Sequence, residues 1–438
     1  MKRLKIIKSD ILKARVYAGR TSGGLRTFLW PMPGFSRYFA VAGVKYGSVD
    51  NTFVPPGKGE AVEMPAGIAH FLEHKLFEDR KGGVDGRFSV LGASSNAMTG
   101  YDSTMYFFSC TENFERSLRL LLGFVGRPDF GEEGVEREKG IIGQEIMMVR
   151  DNPDWRIYHN MIEAMYVRHP ARIDTAGTVE SVGEISRGQL MECHRTFYSP
   201  GNMIFAAAGD FDAERIFPIV EKCSKRGLTP LAALSGEIRR VFPEEPAGLG
   251  KKRVSDRMDV ARAKVMLGFK EREADYSAGA LFRRDIITSI VLDVVLGRTG
   301  RLYNEMYSRG LIDGTFGWSY SSHGEGFGFS VIAGDTERPG ELARAVMGGL
   351  RRAGRRGLDG REFLRKRKKA IGSFLGTFDS PDSSAMLMAH FQMRGSNIFD
   401  YFKVMEGVTL GEADRRLRSH LSEDNCVVSE ILPLAGKK

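Results

Sequence analysis

The sequence predicts a protein of the α+β class that is built from two similar halves. The chain has 438 residues, more than one hydrophobic core usually supports and enough for two domains of about 200 residues each. Segments with strand-like and helix-like patterns are interspersed through the first half. The second half then repeats the order of these segments, which indicates an internal duplication.

Local patterns place the elements of the first half. Short apolar or β-rich runs predict strands at residues 39–44, 105–110 and 203–208. Helical spacing of apolar residues predicts helices at residues 67–79, 113–126 and 134–150. In the first of these helices Ile68, Leu72 and Leu76 recur every four residues, as expected for the buried face of a helix.

The periodic pattern is lost in a stretch with Gly, Pro and charged residues around residues 226–250. We therefore predict a first half of residues 1–230, a connection at residues 231–250 and a second half of residues 251–438. In the second half, the same criteria predict strands at residues 258–269 and within 314–334, and helices at 285–297, 341–354 and 362–383.

Composition and charge argue against a nucleic-acid-binding function. Apolar residues make up 42% of the chain and charged residues 27%, as in ordinary soluble proteins. The net charge of +9 could favour nucleic acid, an acidic membrane surface or acidic substrates. The basic residues, however, cluster in helical segments with apolar positions between them, which is typical of a solvated helix face. No aromatic and basic pattern of a nucleic-acid module is present, so we expect no nucleic-acid partner.

Targeting and redox signals point to the cytoplasm. The charged start of the sequence lacks the apolar core of a signal peptide, and no run reaches the roughly 18 apolar residues of a membrane span. We therefore expect a cytoplasmic protein without a membrane partner. The four cysteines are far apart and form no CxxC pair, which argues against a disulfide framework or a cysteine zinc site.

The pattern that carries chemistry is His-Phe-Leu-Glu-His at residues 70–74. On a helix, His70 and His74 project from one face about one turn apart. Both imidazoles can then reach one zinc ion at a distance of about 2.0–2.1 Å. Glu73 can point at the same opening without binding the metal, and there it can take a proton from the attacking water and pass it to a leaving amine.

A catalytic zinc site normally has three protein ligands and leaves the fourth position to water. We assign Glu145, on the predicted helix 134–150, as the third ligand. Glu138 lies two turns earlier on the same face, and we expect it to orient a histidine or the water. The alternative is a helix with two surface histidines and a glutamate, but the apolar residues around the motif should be buried.

The second half lacks counterparts of the proposed metal-binding side chains. The helix predicted at 362–383 resembles the one at 134–150, and if Gly372 matches Gly143, then Phe374 falls at the position of Glu145. The helix predicted at 285–297 contains no histidine. We therefore expect a catalytic zinc-binding first half and a non-catalytic second half.

Longer segments around these residues resemble a known family. These segments occur in the order expected for the pitrilysin/insulinase zinc metallopeptidases, whose inverted motif is HxxEH. In chain order they are GIAHFLEHKLFE, GASSNAMTGYDSTMYFF, EREKGIIGQEIMM, and FYSPGNM followed by AAAGDFD. The branch that looks most similar is a small, bacterial form like the mitochondrial processing peptidase. The resemblance covers nearly the whole chain and is stronger in the first half.

The resemblance implies a role for each matching residue. His70 and His74 match the zinc-binding histidines, and Glu145 matches the distal zinc ligand. Glu73 matches the general base, and Glu138 matches the acidic residue that supports catalysis. The implied cofactor is one Zn²⁺ per chain.

Two further residues follow from the same resemblance. Asn96 matches an asparagine on an edge strand near the substrate backbone, where an extended peptide could add as an extra strand. The family often has an Arg in the segment that here reads LYNEMYSRGLIDG, and Tyr307 stands at that position. Tyr320 is the candidate for the tyrosine beside the oxyanion, although a partner chain could supply the missing group.

Family members also suggest an architecture. Each half is expected to be an antiparallel-rich sheet packed with helices, and the two halves are expected to face each other as a clamshell. Small members usually pair with a second chain. We therefore expect a homodimer, or a heterodimer with a related zinc-less chain, and a short or unfolded peptide as the substrate.

These observations predict a zinc-dependent endopeptidase of short or unfolded peptides, such as a processing peptidase. The alternative is a non-catalytic peptide-binding or scaffold subunit of a two-chain peptidase-like complex that keeps the motif. Zinc content, measured together with cleavage of an unstructured peptide, distinguishes these two functions. No motif specifies the natural substrate or the cleavage preference.

Overall fold

The computed structural model describes residues 4–78, 83–227, 237–273, 275–324 and 326–434. The chain forms two compact units. Unit 1 comprises Met1–Ile146, Asp174–Phe242 and Phe374–Phe399, and unit 2 comprises Met147–Ile173, Pro243–Ser373 and Asp400–Lys438. Within the predicted connection 231–250, residues 231–236 lie outside the described residues.

Ten strands lie in the described residues of unit 1. They are β1 (Lys5–Ser9), β2 (Ala14–Arg20), β3 (Arg26–Pro31), β4 (Tyr38–Val44), β5 (Thr52–Val54), β6 (Val62–Glu63), β7 (Ala93–Thr99), β8 (Thr104–Cys110), β9 (Met203–Gly209) and β10 (Arg239–Arg240). Seven of them form a sheet in the order β1-β2-β3-β9-β4-β8-β7, and β10-β5-β6 form a small second sheet. Every residue of the central strand β9 is buried, since helices cover the sheet.

The described part of unit 2 contains one five-stranded sheet. Its strands are β11 (Arg253–Met258), β12 (Ala263–Lys270), β13 (Gly317–His323), β14 (Phe327–Thr336) and β15 (Cys426–Pro433). They lie in the order β11-β15-β12-β14-β13. Only β11 and β15 pair in parallel, and the remaining pairs are antiparallel.

Fifteen α-helices lie in the described parts of the chain. They are α1 (Ile68–Phe77), α2 (Val84–Val90), α3 (Phe114–Val125), α4 (Glu132–Arg150), α5 (Pro153–Met165), α6 (Val179–Gly183), α7 (Arg187–Phe197), α8 (Ala213–Gly227), α9 (Ala278–Leu296), α10 (Arg301–Ser308), α11 (Pro339–Arg356), α12 (Gly360–Gly376), α13 (Pro381–Met393), α14 (Asp400–Glu406) and α15 (Leu410–His420). No described helix is both long and apolar enough to cross a membrane.

The sheet topology confirms the predicted duplication. In unit 1, five neighbouring strands lie in the order β3-β9-β4-β8-β7, and in unit 2 the five strands lie in the order β11-β15-β12-β14-β13. In both runs of five, the first and last strands along the chain are neighbours at one end, and the third lies at the opposite end. The pairing directions also agree, because β3–β9 and β11–β15 are the parallel pairs. The two units therefore repeat one α+β arrangement, and unit 1 adds β1 and β2 at one edge.

One helix of each repeat packs in the other unit. The helix α5 follows α4 in the chain but contacts β12 and β15, and so belongs to unit 2. The helix α13 follows α12 and contacts β4 and β9, and so belongs to unit 1. The compact units therefore differ from the sequence-derived boundaries in these two segments.

Most predicted elements of the first half are confirmed to within two residues of their observed ends. Three differences occur in the second half. The strand predicted at 258–269 is two strands, β11 and β12, separated by a turn, and the helix predicted at 285–297 begins seven residues earlier, at Ala278. The helix predicted at 362–383 is interrupted after Gly376 because Pro381 forces extended backbone at Ser380, whose side chain caps α13.

Candidate metal centre

The start of helix α1 is held by a close backbone contact. Gly67 precedes the helix with a φ of 87°, a conformation that favours glycine. A Cβ atom at this position would lie 2.3 Å from the carbonyl oxygen of Ala176. Helix α1 then buries Ile68, Phe71 and Leu72 in the core. The face of the helix that carries the two histidines is therefore directed away from that core.

Helix α4 supplies the acidic side chains. Ile142 and Ile146 are buried in the core of unit 1, which fixes the rotation of the helix. Glu145 Oε1 lies 3.9 Å from Nε2 of His70, and Glu145 Oε2 lies 3.6 Å from Nε2 of His74. One donor atom from each of these three residues lies within 4.8 Å of the other two.

These separations fit a shared metal ion better than direct hydrogen bonds. A distance of 3.6 Å is too long for a hydrogen bond, whereas two ligands of a tetrahedral zinc ion lie about 3.4 Å apart, given metal–ligand distances of about 2.0–2.1 Å. Two imidazoles and one carboxylate form a frequent catalytic donor set for zinc. The structure thus brings His70, His74 and Glu145 together as a possible zinc site.

Glu138 fixes the orientation of one ligand. Its Oε1 lies 2.9 Å from Nδ1 of His74, and a carboxylate there accepts the Nδ1–H. The opposite nitrogen, Nε2, is thereby left with a lone pair directed at Glu145. Nδ1 of His70 is buried and has no hydrogen-bond partner among the described residues.

The two histidines have different electrostatic surroundings. Burial, together with the nearby His74, lowers the pKa of His70 to about 4, so His70 is neutral at pH 7 and can act as a ligand. Burial also opposes the charged form of His74, but the hydrogen bond to Glu138 and the charges of Glu138 and Glu145 raise its pKa overall. A metal ion that binds between these groups would displace the proton on Nε2 of the charged His74 ring and leave the one on Nδ1.

Glu73 is held by Thr99, whose hydroxyl on strand β7 donates a hydrogen bond to Oε2 of Glu73. Burial raises the pKa of Glu73, although the Thr99 hydrogen bond and His74 act in the opposite direction. A carboxylate whose pKa is raised towards neutral is better suited to act as a general base. Thr99 was not identified from the sequence, although it lies only three residues after Asn96.

An ionic cluster joins helices α1 and α4 beside these groups. The ammonium group of Lys75 is buried and pairs with Glu78, and Arg137 on α4 binds the other oxygen of the same carboxylate. A Cβ atom at position 134 would lie 2.8 Å from Nζ of Lys75, so Gly134 provides the space for this cation. The cluster helps to hold the histidine helix against the helix that bears Glu145.

Asn96 lies on strand β7, which is at the edge of the seven-stranded sheet. Its side chain is exposed, and its Oδ1 accepts a hydrogen bond from the N–H of Ala97 at 2.7 Å. Successive residues of a strand alternate between faces, so Asn96 and Thr99 lie on opposite faces of β7. The expected edge-strand position of Asn96 is therefore observed.

Tyr320 lies on strand β13 of unit 2, where its hydroxyl donates to Oε2 of Glu271 at 2.6 Å. The guanidinium of Arg416 binds the same carboxylate and also lies over the Tyr320 ring, 5.4 Å from its centroid. The hydroxyl of Tyr320 is therefore engaged within unit 2. Its role beside an oxyanion stays a prediction.

The position predicted as the counterpart of Glu145 is apolar. Phe374 is buried, and its ring lies 5.0 Å from that of Phe378 and 6.3 Å from that of Phe391. This residue therefore packs against its aromatic neighbours. Within the described residues, the group of His70, His74 and Glu145 is the one set of three or more His, Cys, Asp or Glu side chains arranged to hold a metal ion.

The fold and the site together define a class of protein: a duplicated α+β chain with an inverted zinc-peptidase motif in one repeat. The family model described as "Insulinase (Peptidase family M16)" matches residues 54–179, and the model described as "Peptidase M16 inactive domain" matches residues 184–370. The chain belongs to peptidase family M16, as its full-length similarity to a curated relative also shows.

That relative is described as the uncharacterized zinc protease YmfH of Bacillus subtilis (strain 168). It is 39% identical over 430 residues, which cover 98% of this chain and 99% of the relative. A crystal structure from Alicyclobacillus acidocaldarius is described as that of a putative M16-like peptidase. Its sequence is 37% identical to this chain, and the two structures superpose with a TM-score of 0.92. The match covers 96% of this chain and 99% of the other. These relatives support a peptidase-like function.

A more distant structure shows the same fold. Pitrilysin is 17% identical with a TM-score of 0.77, and the match covers all of this chain and 47% of pitrilysin. At this level of identity the similarity concerns the fold alone.

Proposed function

We propose that the chain is a zinc-dependent endopeptidase that hydrolyses short or unfolded peptides. The observation that carries this proposal is the convergence of His70, His74 and Glu145 next to a general base, Glu73. The residues present fit the metal because they offer two imidazole nitrogens and a carboxylate at suitable separations. When bound, zinc would lower the pKa of water to about 7 and polarise the scissile carbonyl.

The side chains of unit 1 would perform the remaining tasks. Glu73 takes a proton from the attacking water at one carboxylate oxygen and later delivers it to the departing amine. Thr99 holds Oε2 of Glu73 by its hydrogen bond, which leaves the other oxygen to accept the proton. Glu138 keeps the proton of His74 on Nδ1, so that Nε2 is free to bind metal.

The edge strand β7 supports the choice of an extended peptide as the substrate. An extended backbone can pair with an open sheet edge, which recognises main-chain groups and not a particular side-chain sequence. The exposed amide of Asn96 lies on this strand and could bind the substrate backbone. A short or unfolded peptide can adopt the extended backbone that such pairing requires, so we propose short or unfolded substrates.

A non-catalytic peptide-binding subunit is the second candidate. The match of residues 184–370 to a model described as an inactive domain favours it for the second repeat, as does Phe374 at the predicted counterpart of Glu145. The complete donor set in unit 1 favours the enzyme. We further propose that the active form is a homodimer or a heterodimer with a zinc-less relative, which could also supply the group beside the oxyanion if Tyr320 does not.

Cleavage of an unstructured peptide mixture tests the proposal. The full chain, loaded with one equivalent of zinc, is incubated alone and with a candidate partner chain, and the products are identified by mass spectrometry. We expect internal cleavage that stops when zinc is removed and returns when zinc is restored. Stoichiometric zinc without cleavage under either condition would instead support the peptide-binding subunit.

A further inference from the structure

The positive charge of the chain is concentrated in unit 2. Unit 1 contains 29 Lys and Arg residues against 28 Asp and Glu residues, whereas unit 2 contains 35 against 27. The net charges are therefore +1 and +8, which together give the +9 of the chain. An excess of one sign raises the local concentration of oppositely charged ligands, so unit 2 should attract anions.

Unit 2 also contains a cavity of about 310 Å³. It lies among the ends of helices α9 and α11 and the beginnings of α10 and α12. Val295, Leu302 and Leu358 form an apolar part of its wall, and all three are buried. The volume is at the lower end of the range of about 300–1,000 Å³ that is usual for small-molecule sites.

Three guanidinium groups line this cavity. Nε of Arg301 lies 2.7 Å from Oε1 of Glu305, and Nη2 of Arg352 lies 3.3 Å from Oε2 of the same residue. Each guanidinium has five N–H donors, so sharing one carboxylate leaves several donors free. Arg356, one turn after Arg352, makes no hydrogen bond or ion pair within the part of the chain that the structure describes.

The cavity is also lined by two acidic residues, Asp359 and Glu362, that make hydrogen bonds of their own. Oδ1 of Asp359 accepts the N–H of Glu362 at 2.9 Å and so caps helix α12. The carboxylate of Glu362 accepts hydrogen bonds from Nε and Nη2 of Arg365 at 3.1 and 2.6 Å. Neither carboxylate forms an ion pair with Arg356 within the described residues. The guanidinium of Arg356 is exposed to solvent and is therefore open to an anion.

We propose that this cavity binds a carboxylate at the end of a short apolar chain. Arg356 and the free donors of Arg301 and Arg352 would bind the carboxylate, since a guanidinium matches its planar geometry. The apolar wall would bury the chain. Two sources share this chemistry, the free C-terminus of a short apolar peptide and a medium-chain fatty acid. The site uses no residue of the metal centre and does not depend on the proposed peptidase activity.

Calorimetric titration of the full chain tests this proposal. The probes are octanoate for the fatty acid, N-acetyl-Val-Leu for the peptide C-terminus, and octanamide as a neutral control. We expect saturable binding of at least one carboxylate and about tenfold weaker binding, or none, for octanamide. The preferred acid identifies the source. R356Q should weaken binding of that acid about tenfold, because a hydrogen bond to a charged group contributes about 1.5 kcal/mol.

R344Q is the matched control, because Arg344 is an exposed residue of the same helix α11 that does not line the cavity. We expect the affinity of this variant to equal that of the unmodified chain. Three results would overturn the proposal: no saturable binding of either acid, equal binding of octanamide, or equal losses of affinity in R356Q and R344Q. Peptide cleavage by the zinc-loaded chain is measured separately, so a failure of either proposal is distinguishable from a failure of the other.

Discussion

Oε1 of Glu138 lies 2.9 Å from Nδ1 of His74, so a residue of helix α4 determines which nitrogen of an α1 histidine faces the metal centre. We expect E138Q to weaken zinc affinity about 10- to 100-fold, the usual effect of losing a carboxylate that supports a histidine ligand. Competition with a chelator of known affinity measures this change. E136Q is the control, since Glu136 is exposed on α4 and, among the described residues, pairs with Lys139. An equal loss in this variant would contradict the assigned role.

Glu73 is expected to transfer protons as a general base and not to bind the metal. E73Q should keep one zinc ion per chain and reduce the rate of peptide cleavage about 10²- to 10⁴-fold, the range found for removal of a general base. Metal analysis and initial rates on one peptide measure both properties. Cleavage at the unmodified rate would remove Glu73 from the mechanism, and loss of zinc would show that it is a ligand.

Thr99 should matter through its hydroxyl group. T99V keeps the shape of the side chain but removes the hydrogen bond to Glu73, and we expect kcat/KM to fall about tenfold because the bond is made to a charged group. T99S retains the donor and should recover most of the activity. Zinc content should be unchanged in both variants. Equal activities of T99V and T99S would show that the hydroxyl has no positioning role.

Gly67 should be required for the start of helix α1. In G67A the new Cβ atom would lie 2.3 Å from the backbone oxygen of Ala176 at a φ of 87°, and we expect a loss of stability of about 2 kcal/mol or more. Thermal unfolding measures this loss. G123A is the matched control, because a Cβ at this helical glycine meets no atom within 4 Å and alanine is favoured there by up to about 1 kcal/mol.

The stability of unit 2 should decrease in acid. Burial would raise the pKa of Glu271, but the guanidinium of Arg416 and the hydroxyl of Tyr320 lower it from 4.5 to about 2. Burial lowers the pKa of His420 from 6.5 to about 3. Both folded-state values are depressed, so the unfolded chain takes up protons first. Stability is thus lost as the pH falls below about 6.5 for His420 and below about 4.5 for Glu271.

Urea unfolding at pH 7 and pH 4 checks this expectation. In a W30F background the remaining tryptophans, Trp155 and Trp318, belong to unit 2 and report its unfolding. We expect a lower midpoint at pH 4, and H420Q should reduce the difference between the two pH values. Identical midpoints at both pH values would contradict the assigned protonation states.

Helical geometry explains why the metal centre could be predicted from the sequence. A spacing of four residues places His70 and His74 on one face of α1, and a spacing of seven places Glu138 and Glu145 on one face of α4. The apolar stripes of both helices identify the faces that are buried. Spacing along the chain therefore indicates the candidate donor set, although it does not specify how far apart the two helices lie.

Other features required the three-dimensional structure. The exchange of α5 and α13 between the units was not predicted, because a local apolar pattern identifies a buried face but not the sheet that covers it. The sequence does not single out Thr99, because β7 reads ASSNAMT and lacks apolar alternation. The pattern of basic residues at 365–369 predicts a solvated helix face. Lys366 is instead buried and bound to Oδ1 of Asp293 at 2.8 Å, a pairing between distant parts of the chain.

X-ray absorption at the zinc edge tests the central claim most directly. The full chain is compared with E145Q after each is dialysed against equimolar zinc. We predict one zinc ion per chain with two imidazole nitrogens and a carboxylate oxygen among its ligands, and loss of that oxygen signal with weaker binding in E145Q. Absence of stoichiometric zinc, or an identical ligand set in the two proteins, would contradict the assignment of His70, His74 and Glu145 as a single metal centre.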